Sequence, residues 1–176
     1  MANTEMQYIE VINHCREIFR KKNSDYGSSW RVLRPISIAD QLYIKAQRIR
    51  TIQNLQSQKI DDDIRGEWKA IVNYGIIALI QEELQENPSW DLPADEALRL
   101  YDKHWKETFA LMQDKNHDYG EAWRNMSQES FADLILTKIL RIKQIIANEG
   151  KTQISEGMDA NFRDIINYAV FALILG

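Results

Sequence analysis

The sequence predicts an all-α protein built as two tandem three-helix repeats packed into an internal pseudo-dimer bundle, and three observations predict it. Apolar residues recur at spacings of three and four, no alternating run of β-branched residues flanked by turns stands out, and the second half of the chain repeats the first. Sliding the 176 residues against themselves by 93 positions superposes KNSDYGSSWR at 22–31 on KNHDYGEAWR at 115–124, with seven of ten residues identical. The match continues through Ser37/Ser130, Ala39/Ala132, Asp40/Asp133, Lys45/Lys138, Arg48/Arg141 and Ile49/Ile142. After one inserted residue the shift becomes 94 and aligns AIVNYGIIALI at 70–80 with DIINYAVFALI at 164–174. Stacked solenoid arrays use units of about 20 to 50 residues, so two longer copies point to a fused pair around a twofold axis. Pro88 and Pro93 in the segment ENPSWDLPADE end one helix and start another, which divides the chain into 1–87 and 88–176 with one shared core.

Each copy reads as three helices. Tyr8, Val11, Ile12, Cys15, Ile18 and Phe19 form the apolar stripe of the first, which is expected to stop near Asp25, with Gly27 and Gly120 as left-handed caps or tight turns. The second is expected to start at Ser37 and Ser130, because Ser37 to Asp40 and Ser130 to Asp133 fit a capping box. The third begins after the acidic run Asp61 to Asp63, suited to the positive end of the helix dipole, and is apolar on nearly all sides from Ile71 to Ile80. Such a helix belongs at the centre.

A formal net charge of -4 argues against a general binder of nucleic acid or anionic membranes, but leaves free nucleotides as partners. A single cysteine, Cys15, cannot form an internal disulfide and reads as a core residue. The N-terminal residues MANTEMQYIE carry no basic segment followed by an apolar run, and no apolar stretch long enough to span a membrane occurs, so the expected compartment is the cytoplasm.

The repeated Lys-Asn-x-Asp-Tyr-Gly-x-x-Trp-Arg segment gathers a carboxylate, two cations, a phenol and an indole near a helix end. Those groups suit a nucleotide. Lys22, Arg31, Lys115 and Arg124 could pair with phosphate oxygens, Trp30 and Trp123 could stack on a base, Tyr26 and Tyr119 would flank it, and Asp25 and Asp118 could accept a base or ribose hydrogen bond or hold a metal. The alternative is structural, with Gly ending the helix and Tyr and Trp packing the turn, although it gives no reason for the Lys and Arg to recur. Lys45, Arg48, Lys138 and Arg141 border the apolar stripe of the second helix and bind either phosphate or the carboxylates of the third helix. Asn73 and Asn167, inside the most apolar helices, need a partner: a core hydrogen bond to the opposite copy or the turn, or a base edge. The acids of the third helix match poorly between copies, with Asp62, Asp63 and Glu67 in one and Glu156, Asp159 and Asp164 in the other. His14, His104 and His117 recur at no equivalent position, which gives no support to a histidine metal site or a Ser-His-Asp arrangement.

The twice-repeated Asp-Tyr-Gly-x-x-Trp, the Lys-x-x-Arg-Ile of the second helix and the Ile-x-Asn-Tyr of the third resemble the nucleotide modification associated domain, type 1, in its two-copy bacterial form, over nearly the whole chain. The resemblance implies a link to nucleotides. A looser likeness is to the all-α nucleoside triphosphate pyrophosphohydrolases, MazG-like and dimeric dUTPase-like, which bind Mg²⁺ through carboxylates on adjacent helices. Their paired Glu-x-x-Glu and Glu-x-x-Asp signature is broken here, since the third helix offers Glu67-x-x-Ala70 and Asn161-x-x-Asp164. What these likenesses imply is a nucleotide-binding protein, with Mg²⁺-dependent hydrolysis of a triphosphate to monophosphate and pyrophosphate as its catalytic form. Asp25 and Asp118 would then be the catalytic acids, and Glu67 and Asp164 the metal ligands. The rival reading is a non-catalytic helical module that binds a protein partner or senses a nucleotide, with the tryptophans as anchors.

Overall fold

The structure, a computed structural model, describes residues 2–55, 63–151 and 157–176. Among these the chain forms six helices and no strand. The first copy contributes α1 (Ala2–Tyr26), α2 (Pro35–Leu55) and α3 (Asp63–Glu83), and the second α4 (Ala94–Tyr119), α5 (Gln128–Ala147) and α6 (Met158–Leu175). A short 3-10 turn follows the first helix of each copy, at Ser29–Val32 and Ala122–Asn125. The acidic run Asp61 to Asp63 and Glu156, assigned above to helix starts, lie outside the residues whose side chains are described.

The first helices end where the glycines require. Gly27 and Gly120 have φ of 65° and 59°, the left-handed region that a side chain disfavours, and the Gly120 N–H bonds back to the carbonyl of Asn116 at 2.9 Å. The capping boxes are corrected by the structure. α5 begins at Gln128, and its cap is Ser127, whose hydroxyl accepts the Ser130 N–H at 3.1 Å; α2 begins at Pro35, a residue whose fixed φ and missing N–H suit a first helical position. Asp40 and Asp133 therefore lie beyond the first turn and serve another purpose. Asp40 pairs with Lys143 at 2.8 Å and Asp133 with Arg50 at 3.6 Å, each reaching across to the other copy.

α3 and α6 pack against each other more extensively than any other pair, α2 and α5 flank them and also touch each other, and α1 and α4 cover the remaining sides. A single apolar cluster runs through both copies, with Tyr8, Ile12, Ile38, Ile49, Trp68 and Ile76 from the first and Tyr101, Phe131, Ile139, Phe162, Ile165 and Val170 from the second. The central pair approaches so closely at Gly75 that a Cβ there would stand 2.6 Å from a side-chain carbon of Ile166. Glycine is needed at that point for space, not for backbone freedom.

The polar groups inside this core pair reciprocally between copies. The Tyr8 hydroxyl donates to Asn167 Oδ1 at 2.7 Å, and the Tyr101 hydroxyl donates to Asn73 Oδ1 at 2.7 Å. Each amide also donates within its own copy, Asn73 to the carbonyl of Cys15 at 3.0 Å and Asn167 to that of Thr108 at 3.4 Å. Burial pushes the Cys15 thiol up to about 12, which keeps it protonated and inert.

Two stability measurements follow. Gly75→Ala is expected to lower stability by about 1–3 kcal/mol through overpacking, whereas Gly66→Ala, with open space around its Cβ, gains up to about 1 kcal/mol of helix propensity; urea unfolding of both variants distinguishes them, and equal effects would contradict the close approach. Tyr8→Phe and Tyr101→Phe each leave a buried amide oxygen unpaired and are expected to lose about 1–3 kcal/mol in the same assay.

Candidate functional site

Between α1, the first 3-10 turn and α3 lies a cavity of about 490 Å³. The helical spacing of Gly66, Lys69, Ala70, Asn73, Tyr74 and Ile77 brings one face of α3 to it, while α1 and its turn supply Phe19, Lys22, Tyr26 and Trp30. Its depth comes from what is small: Gly66 and Ala70 leave room that larger side chains would fill. Among the described residues no carboxylate lines it. Among the described residues neither Lys22 nor Lys69 has an ion-pair partner, so the walls combine four aromatic rings with two uncommitted cations.

Of the residues singled out in the sequence, Lys22, Tyr26, Trp30 and Asn73 meet here. Tyr26 is 72% exposed at the rim, whereas Trp30 is half-buried, tilted against Phe19 at 5.9 Å between ring centres. The Trp30 indole N–H donates to Asn23 Oδ1 at 3.0 Å, and Trp123 repeats this with Asn116 at 3.1 Å. The Asn of the repeated segment, left without a role in the sequence, is thus a clamp on the Trp seven residues on. Lys69 escapes the sequence reading, and Ala70 and Tyr74 enter it without a place in a site, although their spacing from Asn73 along the third helix is the available signal.

Other assignments are corrected. Arg31 is buried and not a free phosphate contact: its guanidinium donates to Gln81 Oε1 and to the carbonyls of Asn87 at 3.2 Å and Ser89 at 3.0 Å. Arg124 grips the start of α1, donating to Thr4 at 2.7 Å and Gln7 at 2.6 Å. Each turn therefore fastens the segment that leads into the opposite copy, which supplies the missing reason for the repeated Arg. Trp123 offers no open platform for a base. It is buried, lies parallel to Phe171 at 4.1 Å and has the Arg124 guanidinium 4.5 Å from its ring centre. Asn167, like Asn73, takes the core hydrogen bonds described above.

The remaining charges neutralise one another. In the first copy Glu67 is held by Arg48 at 2.8 Å and Lys45 at 3.5 Å; in the second, Asp164 is held by Lys115 at 2.8 Å and Lys138 at 2.9 Å on separate oxygens. Arg141 is exposed on α5, one turn beyond Lys138. Asp25 and Asp118 are exposed at the ends of α1 and α4, Asp118 beside His117 at 3.3 Å, and Asp25 does not line the cavity. Among the described residues no three His, Cys, Asp or Glu side chains converge as metal ligands. Glu67 and Asp164 do not fit a Mg²⁺ site as arranged, because each carboxylate is already matched by two cations and they belong to different copies.

These features define a helical pseudo-dimer whose copies interlock through their repeated turns and of which the first holds an aromatic, basic cavity. The chain belongs to the family described as Nucleotide modification associated domain 1, whose model matches residues 22–81 and again 115–175. Comparison with curated proteins and with solved structures finds no match. Among the described residues no helix is long and apolar enough to cross a membrane.

Arg31→Met and Arg124→Met are each expected to lower stability to urea by about 1–3 kcal/mol, since each removes a charged donor that holds several acceptors of the neighbouring segment at once. A solvent-facing phosphate contact would leave stability unchanged.

Proposed function

We propose that the protein binds a nucleotide in the first-copy cavity, the base among Trp30, Tyr26 and Tyr74 and the phosphates toward Lys22 and Lys69. The observation that carries this reading is the coincidence, in one cavity, of aromatic walls and two lysines without carboxylate partners among the described residues. Aromatic stacking contributes about 1–3 kcal/mol per base and asks nothing of the base's identity, while uncompensated ammonium groups favour phosphate over a neutral nucleoside. The family's description, which speaks of nucleotide modification, supports the same ligand class.

Hydrolysis of a triphosphate to monophosphate and pyrophosphate is the catalytic form of this proposal. It has weaker support, because Glu67 and Asp164 already serve as partners of cations. A metal held by the exposed Asp25 or Asp118 would need the substrate's own phosphates as further ligands. A second reading, an interaction module without turnover, draws on the exposed Trp90, Tyr26 and Val32, which line a shallow cleft beside the cavity.

Calorimetric titration with ribo- and deoxyribonucleoside mono- and triphosphates, with and without Mg²⁺, followed by chromatography of the products, tests the set. At least one nucleotide is expected to bind, and Trp30→Ala and Lys22→Ala are each expected to weaken it about tenfold. Absence of binding throughout would leave the module; monophosphate formed only with Mg²⁺ and lost in Asp25→Asn or Asp118→Asn would establish the hydrolase.

A further inference from the structure

The duplication allows each wall of the cavity to be compared with its counterpart, and the differences beside the tryptophan and the lysines close the second copy. Ala70 and Ile77 correspond to Asp164 and Phe171. Phe171 lies flat against Trp123 at 4.1 Å, the place on the indole that a base would take, and Trp123 is buried to 6% exposure. Asp164 is buried too, with Lys115, the counterpart of Lys22, drawn onto it at 2.8 Å. The counterpart of Lys69 is Arg163, and it is committed as well, to Glu107 at 3.0 Å and Asp159 at 3.6 Å. Where the second copy has the acids Glu107, Asp159 and Asp164, the first has His14, Arg65 and Ala70. An anion approaching the second copy meets carboxylates that already satisfy its cations; one approaching the first meets none in the cavity wall among the described residues.

We infer that the chain carries one nucleotide site, in the first copy, and that in the second copy the equivalent space has become a packed, internally neutralised structural element. The inference rests on the nucleotide reading given above and adds stoichiometry and location to it. Phe171 closes the aromatic half of the old site and Asp164 the basic half. Neither substitution disturbs the shared framework, because the Trp–Asn clamp and the Tyr–Asn pairs are the same in both copies.

Native mass spectrometry with AMP, CMP, GMP, UMP and their triphosphates as probes counts the molecules held per chain. One is expected. Ala70→Asp, which places beside Lys22 the carboxylate that the second copy has beside Lys115, is expected to weaken that binding at least about tenfold. Should this variant not fold, Lys22→Glu on the exposed end of α1 tests the same charge with the same expected loss. Two molecules per chain, or one whose affinity survives both changes, would overturn the inference. If no nucleotide binds at all, the nucleotide reading fails, and the asymmetry is then decided by crystals soaked in iodobenzene, an apolar probe for open aromatic cavities. Iodine density beside Trp30 alone upholds it, and density beside Trp123 or in neither place refutes it.

Discussion

A helix that is apolar on nearly every side has to be surrounded, and α3 cannot be surrounded by its own copy. Two further helices of one copy cover only part of its circumference, and the rest is closed by α6, which has the same problem and the same solution. Their mutual burial, tight enough to require glycine at position 75, fixes the axis of the molecule. The other arrangements depend on it. α2 and α5 meet because α3 and α6 do, and the Asp40–Lys143 and Asp133–Arg50 pairs tie off that contact at the surface.

Polar residues follow the same axis. Asn73 and Asn167 would be expensive inside such helices if left alone, and a tyrosine from the opposite copy satisfies each of them. The repeated turns extend the principle outward. In the first, Arg31 and Ser28 hold the chain as it leads into α4; in the second, Arg124 and Glu121 hold the first turns of α1. A repeated motif that looks like a ligand site in the sequence is, for much of its length, a fastening between copies. In the first copy Lys22, Tyr26 and Trp30 of that motif line the cavity.

This division explains what was legible beforehand. Helix class, helix number and the central place of the third helices follow from periodicity and from the internal repeat, both of which are local or register-based signals. The start of α5 differs from the expectation because Ser127 and Ser130 both stand at plausible cap positions, and only the bond between them shows which one caps the helix; α2 starts earlier than expected because Pro35 suits a first helical position. The need of Asn73 and Asn167 for a buried partner, with the opposite copy as one candidate, is legible in the sequence, but the purposes of Arg31, Asp40 and their counterparts are hidden because their partners lie tens of residues away or more, where spacing carries no information. The cavity itself was hidden for another reason. It is made by small residues, Gly66 and Ala70, and a motif search looks for the groups that are present, not for the room between them.

The reciprocal fastening also bears on how the molecule folds. Since the turn of each half is completed by the start of the other, neither half has a finished boundary of its own, and no partly assembled state can satisfy the Asn73–Tyr101 and Tyr8–Asn167 pairs while leaving the second half unformed. The two halves are therefore expected to melt as one cooperative unit, although the sequence repeats itself as two. Such indivisibility gives a duplicated protein latitude. With the fold guaranteed jointly, one half is free to surrender its cavity to packing, and the stability gained there can underwrite an open, less well packed pocket in the other.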